Sequence, residues 1–177
     1  IVYLVEEVVL SIVDIAKDKN IEIIFNTEEE EIITAIDEEK IVRVILILLS
    51  NSIKFSKEKG DICVEMRRED EEVVIKVTDN GIGINEDMKE KIFDKFKRVQ
   101  SVSNLNVDHE GSGLGLYIAK GFIELHNGSI SVVSEVEKGS TFIITIPIVI
   151  IKNDLHNINH MDEDELNRII KIELSDL

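Results

Sequence analysis

The run Val73-Val74-Ile75-Lys76-Val77 stops abruptly at Thr78-Asp79 and passes into Asn80-Gly81-Ile82-Gly83. An apolar, alternating strand that ends in a carboxylate and then a double-glycine turn leaves the backbone few routes onward. Glycine lets the chain come close to a ligand with no Cβ in the way. A carboxylate at the mouth of such a turn can accept a hydrogen bond from an exocyclic amine, which is how a protein selects adenine. Taken alone the pattern is weak, because an ordinary strand–turn–helix corner produces it too.

The 177 residues are enough for one domain with a sizeable core, and 44% hydrophobic content places the chain in the globular class. Thirty-six acidic residues against 20 basic ones leave a formal charge of −16. Without a basic stripe, that balance argues against nucleic acid or an anionic membrane as a partner, and its plain meaning is solubility. Cys63 is the lone cysteine and cannot form an internal disulfide, which fits a reducing cytoplasm. No apolar run approaches the roughly 18 residues of a spanning helix. The strongest run, Ile41 to Leu49, carries Arg43 and reads as a buried helix. No signal peptide is visible and the chain begins with Ile1, so it reads as a piece of a longer parent.

Leu4, Val5, Val8, Val9, Ile12 and Ile15 or Ala16 recur at helical spacing and predict an amphipathic helix over 2–18. Ile21 to Phe25 reads as a strand, Glu28 to Glu31 as an acidic loop and Ile32 to Ile36 as a second strand. Asp37 is a plausible N-cap for a helix from about Glu38 to Phe55, with Ile41, Ile45, Leu48, Leu49 and Ser52 on one face. Strands follow at Asp61 to Arg68 and Val73 to Thr78 about a hairpin. Asn85 would cap a short helix through Phe93, and the polar stretch Val99 to Glu110 reads as a mobile loop. A helix over 113–126 precedes strands at Ser129 to Glu135 and Thr141 to Ile146. Asp162 with Glu165 could cap a last helix bearing Leu166, Ile169, Ile170 and Leu174.

Two further stretches lift the Asp79 turn out of the ordinary. Leu48-Leu49-Ser50-Asn51-Ser52-Ile53-Lys54-Phe55-Ser56 lies upstream, and Gly111-Ser112-Gly113-Leu114-Gly115-Leu116-Tyr117-Ile118-Ala119-Lys120 lies downstream. In this order and spacing the three resemble the N, G1 and G2 boxes of the histidine kinase ATP-binding domain, in the superfamily of gyrase, Hsp90, histidine kinases and MutL. Between the second and third, Ile92-Phe93-Asp94-Lys95-Phe96-Lys97-Arg98-Val99 looks like the family's F box. The resemblance runs from about residue 1 to Ile148. It leaves 149–177 as a C-terminal extension, either a docking helix or a linker. The fold it implies is a two-layer α/β sandwich, with a mixed, mostly antiparallel sheet and helices on one face.

The resemblance also implies ATP and Mg²⁺ as the bound groups. It sets Asp79, Gly81 and Gly83 against the base with Phe55 beside it, and makes Asn51 the Mg²⁺ ligand through its side-chain oxygen. Lys54 offers a point charge to phosphate; Asn51 and Lys54 are the catalytic candidates. Gly111, Ser112, Gly113, Leu114, Gly115 and Leu116 form the phosphate cradle, Phe96 and Arg98 border it, and Thr141 joins the nucleotide contacts. Val99 to Glu110 becomes the ATP lid. The physics of the residues agrees: a glycine-rich segment opening a helix turns free N–H groups and a positive dipole end toward phosphate. A hard cation with few protein ligands and several waters is the usual Mg²⁺ arrangement. Plainer readings stand beside these: packing glycines, a buried Asn satisfied by backbone, a solvated Arg98 and a core Phe55.

The activity so implied is delivery of the γ-phosphoryl group to a histidine on a separate dimerisation domain of the same parent. That is the protein-histidine kinase step of two-component signalling, with a response regulator downstream. The domain would be cytoplasmic, and its parent could be membrane-anchored. None of His109, His126, His156 and His160 lies in an acceptor sequence. One residue departs from the family. Many relatives carry Asn four residues before the Mg²⁺ ligand, and hydrolytic branches carry Glu there as general base, but this chain has Ile47. An alkyl group neither holds metal nor activates water. Two alternatives therefore stay open: a non-catalytic nucleotide-sensing module, and an ATP hydrolase of the gyrase or Hsp90 branch.

Overall fold

Periodicity of both kinds is realised in space. A computed structural model describes residues 1–57, 59–97, 113–151, 161–175 and 177. In chain order the elements are α1 (Val2–Asp18), β1 (Glu22–Thr27), α2 (Glu38–Phe55), β2 (Asp61–Glu69) and β3 (Glu72–Asp79). Two 3₁₀ turns follow, Glu86–Met88 and Lys91–Phe93, then α3 (Gly115–Leu125), β4 (Ser129–Glu135), β5 (Gly139–Pro147) and α4 (Glu163–Glu173).

The strands form one five-stranded sheet in the order β1-β2-β3-β5-β4. Only β1 runs parallel to its neighbour; β2–β3, β3–β5 and β4–β5 are antiparallel. Alternation sorts the faces: Ile62, Val64 and Met66, Val73, Ile75 and Val77, and Phe142, Ile144 and Ile146 all point into the core. The helices α1, α2 and α3 cover that face. This is the expected mixed α/β sandwich.

α2 is the centre of the helical layer. Its Asp37 cap accepts from the Lys40 N–H at 3.1 Å, as its sequence position predicts. The predicted apolar face is too narrow, however. Val42, Val44, Leu46 and Ile47 are buried as well, because α1, α3 and α4 flank α2 on its other sides. α4 starts at the predicted Asp162 cap, which accepts from the Glu165 N–H at 2.8 Å, and seats Ile169 and Ile170 against the core.

Three expectations are corrected. Ile32 to Ile36 is not a strand: Ala35 N–H donates to Val149 O at 2.8 Å, but Thr34 uses its hydroxyl, accepting from Val149 N–H at 3.0 Å, so no ladder forms. Asn85 to Phe93 is two 3₁₀ turns rather than one helix, and the Asn85 side chain makes no cap bond. Its buried residues are only Ile92 and Phe93, too few to stabilise a full helical face. The helix expected over 113–126 begins at Gly115, because Gly113 sits at φ +69°, outside the right-handed region.

Candidate functional site

β3 carries Asp79 to the end of the covered face, where it is 7% exposed. The Gly81 N–H donates to Oδ1 at 2.9 Å, and the Ser140 N–H donates to the same oxygen at 3.3 Å. Both bonds fall on one oxygen, which leaves Oδ2 for another donor. Burial pushes the Asp79 carboxyl above its ordinary range, and these N–H groups and the Ser52 hydroxyl pull it partly back. Ser52 faces the carboxylate without reaching ordinary hydrogen-bond geometry, so its buried Oγ has no partner among the described residues. Ser56 Oγ and Asn80 Oδ1, whose side chains meet at Gly60, are also buried without a partner among the described residues. Each such atom costs about 1–3 kcal/mol unless something satisfies it, and the Ser52 hydroxyl beside Asp79 is the one that a polar ligand or its water there would satisfy.

The glycine turn is clamped from two sides. Ile82 N–H donates to Phe55 O at 3.2 Å, joining the turn to the end of α2. A Cβ on Gly81 would stand 2.3 Å from that same carbonyl oxygen. On the other side Gly83, at φ +70°, lies against the β4–β5 hairpin, where a Cβ would stand 2.0 Å from Glu135 O. Glu137 N–H then donates to Ile82 O at 2.8 Å, and the Lys57 ammonium donates to Glu137 O at 2.6 Å. The glycines thus permit close approach of protein to protein at both sides of the turn.

The N-terminal end of α3 lies against α2. Gly113 O accepts from the Phe96 N–H at 3.0 Å, and Phe96 itself sits at φ +61° and is 71% exposed. Leu114 occupies the N-cap position, Gly115 opens the helix and Leu116 packs against the core. A Cβ on Gly115 would stand 3.2 Å from Ile47 Cγ2, so Ile47, 5% exposed, seats the first turn of α3. α3 runs antiparallel to α2, since its far end reaches back to Asp37: the Asp37 N–H donates to His126 Nε2 at 3.0 Å. That nitrogen is therefore unprotonated, and Nδ1–H donates to Phe122 O at 2.7 Å.

Asn51 lies one turn beyond Ile47 on the same face of α2, and Lys54 follows in the last turn. Both are half-buried, and among the described residues neither polar head is engaged. Half-buried Phe55 ends the helix beside Gly81. The structure brings together Asn51, Lys54, Phe55, Asp79, Gly81 and Gly83 at the end of α2, with Gly113 to Leu116 at its middle. Thr141 is not among them. Its hydroxyl meets that of Thr78 at 3.1 Å on the opposite face of the sheet, because it pairs with Thr78 and not with Asp79. Ser140, the register partner of Asp79, stands where Thr141 was expected. Alternation along β5 could have found it. Arg98, Gly111, Ser112, His109 and the expected lid lie outside the described residues.

The sequence profile of the histidine kinase-, DNA gyrase B- and HSP90-like ATPase family matches residues 36–150. The chain belongs to this family. It is 34% identical over 152 residues to histidine kinase P4 of Formosa agariphila, covering 84% of this chain and 11% of that protein. Against the sensor histidine kinase WalK of Bacillus subtilis it is 35% identical over 136 residues, 76% of this chain and 22% of that one. It therefore spans at most about a quarter of either relative. Among solved structures, the catalytic domain of histidine kinase ThkA superposes with a TM-score of 0.72 at 29% identity, covering 83% of this chain and 93% of that one. ThkA has also been solved in complex with the response regulator TrrA. The chain is thus an ATP-binding domain of the type that sensor histidine kinases carry.

Within that family, the residues present fit an adenine nucleotide. A buried carboxylate takes both backbone donors on Oδ1, the Ser52 hydroxyl facing it has no partner among the described residues, and a glycine-rich helix start lies one α2 turn away from Asn51.

Proposed function

We propose that this domain binds ATP with Mg²⁺ and hands the γ-phosphoryl group to a histidine on a dimerisation domain of its parent, from which a response regulator takes it. The observation that carries the reading is Asp79: a buried carboxylate whose two N–H donors both fall on Oδ1, so that Oδ2 can accept the adenine amine. Gly81 and Gly83 fix the turn behind it, and Phe55 borders the base. Lys54 offers its charge to phosphate, and Gly113, Leu114, Gly115 and Leu116 turn the start of α3 toward it, joined by Gly111, Ser112, Phe96 and Arg98. Asn51 would hold Mg²⁺ through its side-chain oxygen, and the metal when bound neutralises phosphate charge. In-line transfer needs positioning and charge neutralisation, so this domain requires no strong base. Residues 1–148 are the ATP-binding unit and 149–177 an extension, α4 docked on α2, and the domain works in the cytoplasm.

One observation favours a second reading, a module that binds nucleotide without transferring phosphate. Ile47 is buried under Gly115, where many relatives place a polar group. Incubating the chain with radiolabelled ATP·Mg²⁺ and a histidine-bearing helical-hairpin domain separates the two. Label on the hairpin histidine supports transfer. Binding of ATP with no label on any partner tested supports the sensing module.

A further inference from the structure

The Ser134 hydroxyl, on β4, touches three groups at once. It accepts from the Ile84 N–H at 2.8 Å, donates to Gly139 O at 2.8 Å and lies 3.0 Å from Ser140 Oγ. A carbonyl only accepts, so the single Ser134 proton is committed to Gly139, and the third contact must be a donation from Ser140. One donor and two lone pairs are then all in use. No residue lacking a hydroxyl can reproduce this set.

What the hydroxyl joins gives it a consequence. Ile84 closes the glycine turn that follows Asp79, and Gly139-Ser140 begins the strand beside Asp79. The two N–H groups on Asp79 Oδ1 come from these same two segments, Gly81 from the turn and Ser140 from the strand. We infer that Ser134 is a positioning residue for base selection, locking the turn and the β5 start together so that Asp79 presents Oδ2 in one orientation. This rests on the proposed binding of ATP at Asp79 and adds the residue that fixes its specificity. The Phe55, Glu137 and ladder bonds hold the two segments in outline, and without the Ser134 bonds their relative setting loosens, the carboxylate can rotate, and the preference for an amine over a carbonyl on the base weakens.

The test is calorimetric titration of the chain with ATP and with inosine triphosphate, which carries a carbonyl where adenine carries the amine. In Ser134→Ala, ATP affinity should fall about five- to tenfold, the size of one lost hydrogen bond, while inosine triphosphate affinity changes less than about twofold. The selectivity ratio therefore drops. Ser134→Thr, which keeps the hydroxyl on a strand, should restore the ratio, a rescue that a general loss of stability would not give. Ser140→Ala keeps the backbone donor to Asp79 but removes the hydroxyl donation to Ser134. It should lower the ratio in the same direction, and it carries the test if Ser134→Ala does not fold. An unchanged ratio in a folded Ser134→Ala or Ser140→Ala overturns the inference and leaves ATP binding standing. A wild-type chain with no preference for ATP overturns the Asp79 reading as well.

Discussion

The two ends of α2 are built on opposite principles. At the N-terminal end polar groups are paired: Asp37 caps Lys40, the Asp37 N–H reaches His126, Glu38 accepts from Met161 N–H at 2.9 Å, and Arg43 bridges Glu39 and, at 3.4 Å, Glu173 of α4. At the C-terminal end Ser52 and Ser56 are buried without partners, and Asn51 and Lys54 are unengaged among the described residues. One helix thus carries an end satisfied by the protein itself and an end whose polar side chains find no partner among the described residues. A native fold tolerates such orphans where function requires them. The proposed binding of nucleotide at the C-terminal end of α2 would account for the contrast.

The largest effect expected from breaking it is at Asp79. Asp79→Asn keeps the shape but turns an amide toward the adenine amine, and ATP affinity should fall by about 1–3 kcal/mol, read by calorimetry. Stability should move the other way, because a neutral amide removes the burial cost that raises the carboxyl's pKa. The pH dependence has a definite sign. Between the ordinary carboxylate pKa and the raised folded one, the native chain holds a proton that the unfolded chain has released. Wild-type stability should therefore fall as pH rises through that window and level off above it, a slope that thermal melts of Asp79→Asn should lack.

Ile47→Asn should split the two properties as well. Burying an amide under Gly115 in place of an alkyl group should cost about 1–3 kcal/mol in urea unfolding. If Asn51 holds Mg²⁺ as proposed and the new oxygen reaches it, Mg²⁺-dependent ATP binding should tighten in the same variant. His126→Ala tests the satisfied end. Losing its bonds to Asp37 and Phe122 should cost about 1–2 kcal/mol of stability while ATP affinity stays unchanged. The smallest effect is Ser56→Ala. Removing a buried hydroxyl with no partner should leave apo stability within about 0.5 kcal/mol of wild type, or raise it.

Much of this was legible in the chain. Helical spacing located α1, α2 and α4, the strand readings covered all five observed strands, and the Asp37 and Asp162 caps followed from local chemistry. These are signals of period and neighbouring residues, which a sequence contains outright. Pairing was harder to read. Ser140 beside Asp79, Thr141 turned to the other face, Gly83 against Glu135 and Ile47 under Gly115 all depend on which segments the fold brings side by side. Thr34 defeated its predicted strand in the same way, by bonding Val149 through its hydroxyl. The orphaned oxygens could not be foreseen at all, because a missing partner becomes visible only when every neighbour is in place.

Hydrogen exchange of the intact chain, with and without ATP·Mg²⁺, tests the contrast between the two ends of α2 most directly. Protection should rise at 51–56, at 79–84 and at 113–117, and stay unchanged at 37–43 and at 161–173. Equal protection at both ends of α2, or protection confined to the Asp37 and α4 end, would contradict the placement of the ligand.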